Sequence, residues 1–119
     1  MRTLILMLTL ALSLAPGWAL AEAPKNVLPA NAPKAWKEKC TACHARNGTG
    51  QTSMGQRMGA QDFTQGAWQK SRSDAQIRKV IAEGSPTNRA MRGYGKSLTP
   101  EELESLVTFI RSLDAAPKK

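Results

Sequence analysis

Apolar residues recur at helical spacing in two stretches of the C-terminal half. Ile77, Val80 and Ile81 follow Ser73-Asp74-Ala75-Gln76, a Ser-x-x-Gln capping box, and Gly84 stops the run. Leu103, Leu106, Val107, Ile110 and Leu113 form a longer stripe, broadened by Phe109, behind a second capping box, Thr99-Pro100-Glu101-Glu102. A further helix is predicted from near Pro33 through Trp36 to about Cys43, with Trp36 and Cys40 one turn apart on the face that packs against another helix. From Arg46 to about Lys70 the periodicity disappears. Glycines at 48, 50, 55, 59 and 66 predict loops and tight turns, with Met54, Met58, Phe63 and Trp68 as apolar anchors. No stretch reads as a strand.

The N-terminus has another character. Leu4 to Leu14 is apolar except for Thr9 and Ser13, and it follows Met1-Arg2. Pro16-Gly17 then breaks it, and Ala19-Leu20-Ala21 is a small-x-small cleavage site, the layout of a secretory signal peptide. The run is too short to cross a bilayer comfortably, so no stable membrane insertion is expected after cleavage. Residues 1–21 are thus read as a signal peptide, 22–32 as an extended Ala/Pro-rich arm, 33–114 as one domain and 115–119 as a frayed tail. An ordered unit this small is marginal by itself and calls for a staple or a cofactor.

The two cysteines supply the chemistry. They lie in Cys40-Thr41-Ala42-Cys43-His44. An exported chain meets an oxidising compartment, but a disulfide across two intervening residues closes too small a loop to stabilise much. A thioredoxin-type redox pair calls for a βαβ context that is not seen here. A histidine directly after the second cysteine specifies covalent c-type haem attachment. The cysteines at i and i+3 match two vinyl groups, and His44 follows on the same face as an iron ligand. His44 is the only histidine, which excludes bis-histidine ligation within one chain and a zinc pair. The second axial ligand is sought among Met54, Met58, Met91 and the lysines. Met91 leads, because it lies in a polar, Arg-rich loop just before the last helix, where a core role is hard to place.

These residues bring a family into view. Cys40 to His44, the stretch Ala90-Met91-Arg92-Gly93-Tyr94-Gly95-Lys96-Ser97-Leu98-Thr99-Pro100-Glu101-Glu102-Leu103, and Leu106 to Arg111 resemble class I cytochromes c, particularly small bacterial periplasmic ones. The resemblance covers about 33–113. It implies an all-α cytochrome c fold of three or four short helices around one covalent haem c, with the N- and C-terminal helices crossing. It also implies His44 and Met91 as axial ligands and Cys40 and Cys43 as tethers. Two features depart from the family pattern: Arg92 stands where a proline often follows the ligand methionine, and no proline lies between His44 and Pro86 to mark the carbonyl that orients the histidine. Trp68 is a candidate donor to a haem propionate.

Charge bears on partners. The chain carries 17 Lys and Arg against 9 Asp and Glu, a net charge of +8, and loss of Arg2 with the leader lowers it by one. Lys34, Lys37, Lys39, Arg46, Arg57, Arg89, Arg92 and Lys96 flank segments expected to border the haem, a basic rim suited to an acidic redox partner. Export and the lack of any nucleic-acid motif argue against nucleic acid. The expected role is a periplasmic one-electron carrier that is not an enzyme by itself, with service as a partner or subunit of a periplasmic oxidoreductase left open. The alternatives are a haem that senses a small ligand or reacts with peroxide at an open sixth position, and thiol–disulfide exchange.

Overall fold

A computed structural model describes residues 26–115. The leader at 1–21, the beginning of the arm at 22–25 and the last four residues lie outside the described residues. Six helices follow in order: α1 (Lys34–Lys39), α2 (Thr41–His44), α3 (Ser53–Met58), α4 (Gly66–Ser71), α5 (Asp74–Glu83) and α6 (Pro100–Ser112). Among the described residues the one pairing of extended backbone is an isolated antiparallel bridge between Gly84 and Arg92. The fold is all-α, as the pattern implies.

The helix count exceeds the three or four expected, for two local reasons. The first helix is divided at Cys40, whose φ of −112° and ψ of −32° leave the regular helix. Two hydrogen bonds bridge that break, from Cys40 N to Trp36 O at 3.0 Å and from His44 N to Cys40 O at 2.9 Å. The aperiodic stretch, read as loops, also contains α3 and α4. Each has six residues, too few turns for an apolar period to show and too few to be stable alone. Local chemistry bounds α3 instead: the Thr52 hydroxyl accepts from Gly55 N at 2.8 Å, and Gly59 closes the helix in the left-handed region at φ 68°.

The long helices begin where their caps lie. Ser73 and Gln76 form the complete capping box of α5, and Thr99 and Glu102 that of α6, with Pro100 in the first turn. Their apolar faces meet each other, and that of α6 also meets α1. Trp36 and Leu106 are each 1% exposed, and the Trp36 and Phe109 rings lie 4.9 Å apart at 59°, the edge-tilted geometry aromatic pairs prefer. Ala35, Ile77, Ile81, Val107 and Ile110 complete the centre. The described part of the arm also joins it: Ala32 is buried, Leu28 packs against the cluster, and the Asn26 carboxamide accepts from Arg46 N at 2.7 Å.

One buried polar side chain joins α4, α5 and α6. Gln69 donates to the carbonyls of Phe63 (2.7 Å) and Ile110 (2.8 Å), and its Oε1 accepts from Arg111 at 2.9 Å. Arg111 reaches on to Asp74 Oδ1 at 2.6 Å. Every polar atom of the Gln69 amide except one hydrogen-bonding position is engaged, which makes its burial tolerable.

Candidate functional site

The motif is held from behind by α3. The Thr52 hydroxyl donates to Ala42 O at 2.7 Å, and Gly50 N donates to His44 O at 3.0 Å. At Gly55 the backbones approach so closely that a Cβ would lie 2.1 Å from Cys43 O and 2.4 Å from Gly50 O. Only glycine permits this contact.

Aromatic rings fix the imidazole. Phe63 stacks on His44 with centroids 4.6 Å apart and planes at 21°, and Trp36 lies 6.0 Å away. Burial lowers the His44 pKa, which favours the neutral form that ligates metals. The Gln61 backbone carbonyl, close by, pulls the other way. No acceptor reaches hydrogen-bonding geometry, so Nδ1 is the buried side-chain nitrogen without a partner among the described residues. Cys40 and Cys43 are free thiols, both half-buried. Burial pushes the Cys40 thiol up to about 11, against the opposing pull of Lys39.

His44 and both cysteines open onto a cleft of about 860 Å³. That volume falls within the range of about 300–1,000 Å³ typical of cofactor sites. Its lining is mainly apolar and includes Trp36, Phe63, Ile77, Ile81, Leu98 and Ile110. Met91 lines the same cleft from the loop between α5 and α6. Gly84, at φ 97°, turns the chain out of α5 into that loop. Ser85 N then donates to Met91 O (2.8 Å) across the loop, and Tyr94 N to Ile81 O (2.8 Å) and Gly95 N to Ala82 O (3.0 Å) clip it back onto α5. Asn88 donates from its side chain to Met58 O at 2.7 Å, joining the loop to the end of α3.

The sequence candidates thus separate. Cys40, Cys43, His44, Met91 and Trp68 share one cleft, and Trp68 lies against Phe63 with centroids 4.6 Å apart. Met58 lines it too, while Met54 does not, and both are well exposed. Three contributions were not foreseen: the stacking of Phe63 on His44, the Asn88 tie and the proximity of the Gln61 carbonyl. Phe63 stood out only as an apolar anchor. A side-chain-to-backbone tie across thirty residues and a backbone carbonyl leave no trace in residue type or period.

The donor set matches a covalently attached haem: two thiols for the vinyl groups, an imidazole that burial keeps neutral, a thioether, and an apolar cleft to take the ring. No helix among the described residues is long and apolar enough to cross a membrane. Comparison with known proteins agrees with this chemistry. The family described as cytochrome c oxidase, cbb3-type, subunit III matches residues 28–110. The cbb3-type cytochrome c oxidase subunit FixP of Rhizobium etli is 28% identical over 97 residues, which are 81% of this chain and 32% of that protein. The chain therefore spans about a third of that curated relative's length. The solved structure of the KustC0563 c-type cytochrome superposes with a TM-score of 0.61 at 34% identity, covering 68% of this chain and 94% of that one. The cofactor is covalently bound haem c, and the role is haem-based electron transfer. The chain is a class I c-type cytochrome and belongs to the family described as cytochrome c oxidase, cbb3-type, subunit III.

Proposed function

We propose that this protein is a periplasmic one-electron carrier whose single haem is tethered by Cys40 and Cys43 and ligated axially by His44 and Met91. The observation that carries the reading is that one apolar cleft is lined by both thiols, the only histidine and the loop methionine. The haem supplies one-electron chemistry between ferric and ferrous iron. The chain's residues do the rest. Phe63 and Trp36 hold the imidazole plane, burial keeps it neutral, and the apolar lining excludes water. Thioether ligation favours the reduced metal, which raises the potential. The apparent signal peptide supports the periplasm as the compartment. No acid/base or nucleophilic constellation is evident, so the protein is read as a carrier and not an enzyme. The relative's role as an oxidase subunit makes a cbb3-type oxidase the first electron acceptor to test.

The test is the spectrum of the oxidised protein beside Met91→Ala. A near-infrared thioether-to-iron band is expected in the wild type and lost in the variant, with a lower reduction potential. Persistence of the band in the variant would transfer the ligand role to Met58, which lines the same cleft. A high-spin wild-type spectrum with ready carbon monoxide binding would replace the carrier by a ligand-sensing or peroxide-reactive haem.

A further inference from the structure

Helix α4 has little of its own to hold it in place. It has six residues and no side-chain cap at its start, and the chain turns extended at Arg72. A helix that short is not stable alone. Yet this corner forms one wall of the cleft: Trp68 and Arg72 line it, as does Phe63 just before the helix.

Two residues that do not line the cleft hold the corner. Gln69 is 6% exposed, one of the two buried polar side chains among the described residues. Its amide donates to Phe63 O at 2.7 Å and to Ile110 O at 2.8 Å. Phe63 is thereby fixed on both sides of its backbone, because its N–H donates to Gly48 O at 2.9 Å. Arg111 on α6 in turn fixes Gln69. Its guanidinium donates to Gln69 O at 2.7 Å, to Gln69 Oε1 at 2.9 Å, to Arg72 O and to Asp74 Oδ1 at 2.6 Å. One side chain thus closes the end of α4 and the start of α5. A leucine at position 69 would fill similar space, but it would leave two inward-pointing carbonyls without a donor. Packing by itself does not call for an amide here.

The Phe63 ring lies between two others. His44 stacks on it at 4.6 Å and 21°, and Trp68 lies 4.6 Å away at 50°. A shift of the Phe63 backbone would therefore turn the surface against which the imidazole rests.

We propose that Gln69 and Arg111 are positioning residues for the proximal ligand: from outside the cleft they fix Phe63, and through it the plane of the His44 imidazole. The inference rests on His44 being an axial ligand and deepens that reading by naming what sets its orientation. Partners beyond a metal's own ligands fix ring orientation and tune the metal. A well-satisfied buried polar network favours a single arrangement. That suits a carrier, since a ligand held in one plane in both oxidation states has little to move when an electron arrives.

The test reads ligand orientation in the haem-loaded ferric protein. The readouts are the pattern of paramagnetically shifted haem-methyl resonances and the principal g-values at low temperature. Both follow the orientation of the axial ligands, not the stability of the chain. The variants are Gln69→Leu, Arg111→Gln, Phe63→Leu and the double variant Gln69→Leu/Phe63→Leu. Val107→Ala is the control, buried on α6 and away from the cleft lining. Gln69→Leu should shift the methyl pattern, and Phe63→Leu should shift it at least as far. Arg111→Gln should shift it in the same direction by less, and it carries the test alone if Gln69→Leu fails to take up haem. With Phe63 already replaced, replacing Gln69 should add no further shift, because the route to His44 is gone. Val107→Ala should lower the unfolding midpoint and leave the pattern as in the wild type. A wild-type pattern in Gln69→Leu and Arg111→Gln would overturn the proposal. So would a full further shift in the double variant, or an equal shift in Val107→Ala, which would mean general loosening. A wild type without shifted imidazole resonances would remove His44 as ligand and the proposal with it. Shifted resonances that stay the same in every variant would remove the proposal alone.

Discussion

The wall of the cleft that carries His44 and the loop that carries Met91 are built on different principles. Around His44 the restraint is packing: Trp36, Phe63 and Phe109 are all buried, and the motif backbone rests against Gly55 with no space between. Around Met91 the restraint is a short ladder of backbone bonds to α5 and one side-chain tie to Met58, with most of the loop exposed. Close packing leaves few alternative positions, whereas a hydrogen-bonded loop at the surface opens at lower cost. The motif side should therefore govern folding, and the methionine side should govern exchange and tuning of the site.

The largest effect is expected from removing the proposed tethers. Cys40→Ala/Cys43→Ala should leave no covalent haem by mass spectrometry, and the chain should lose its cooperative thermal transition by circular dichroism. A domain this small depends on its cofactor for part of its core. A cooperative transition in that variant would show that the Trp36 cluster suffices alone. Trp36→Ala comes next, at about 3–5 kcal/mol by denaturant unfolding of the haem-loaded protein. Gly55→Ala forces a methyl group into the Cys43 and Gly50 carbonyls, and overpacking of this kind costs about 1–3 kcal/mol. On the methionine side, Asn88→Ala should cost only about 0.5–1.5 kcal/mol while raising amide exchange across 85–97. A cost equal to that of Trp36→Ala would erase the contrast between the two sides.

The smallest effect belongs to Glu104→Gln. Arg78 holds the Glu104 carboxyl below its ordinary pKa, chiefly through their hydrogen bond. Its contribution is present above the ordinary carboxylate pKa and fades as pH falls through the lowered value. The pair lies at the surface, so acid unfolding curves of wild type and variant should nearly coincide at physiological salt.

Legibility followed the strength of local signals. The two capping boxes, the α6 stripe and the attachment motif could be read because each is a short run of residue types whose chemistry depends on near neighbours. The proposed tethers Cys40 and Cys43 and the proposed ligand His44 lie in that motif. Met91 was picked out by its unsuitable surroundings as much as by its type. The short helices α3 and α4 escaped, since six residues held by distant carbonyls and by α2 carry no period of their own.

Sequence alone determined the all-α character, the covalent haem chemistry and the placement of the long helices, because caps, periodicity and the Cys-x-x-Cys-His spacing all act within a few residues. Tertiary structure decided what those elements meet. It divided the first helix at Cys40, stacked Phe63 on His44, brought Met91 into the cleft with the motif and joined Asn88 to Met58. The last three of these join residues 19 to 51 positions apart in the chain, and their energies come from packing and burial that no local pattern encodes.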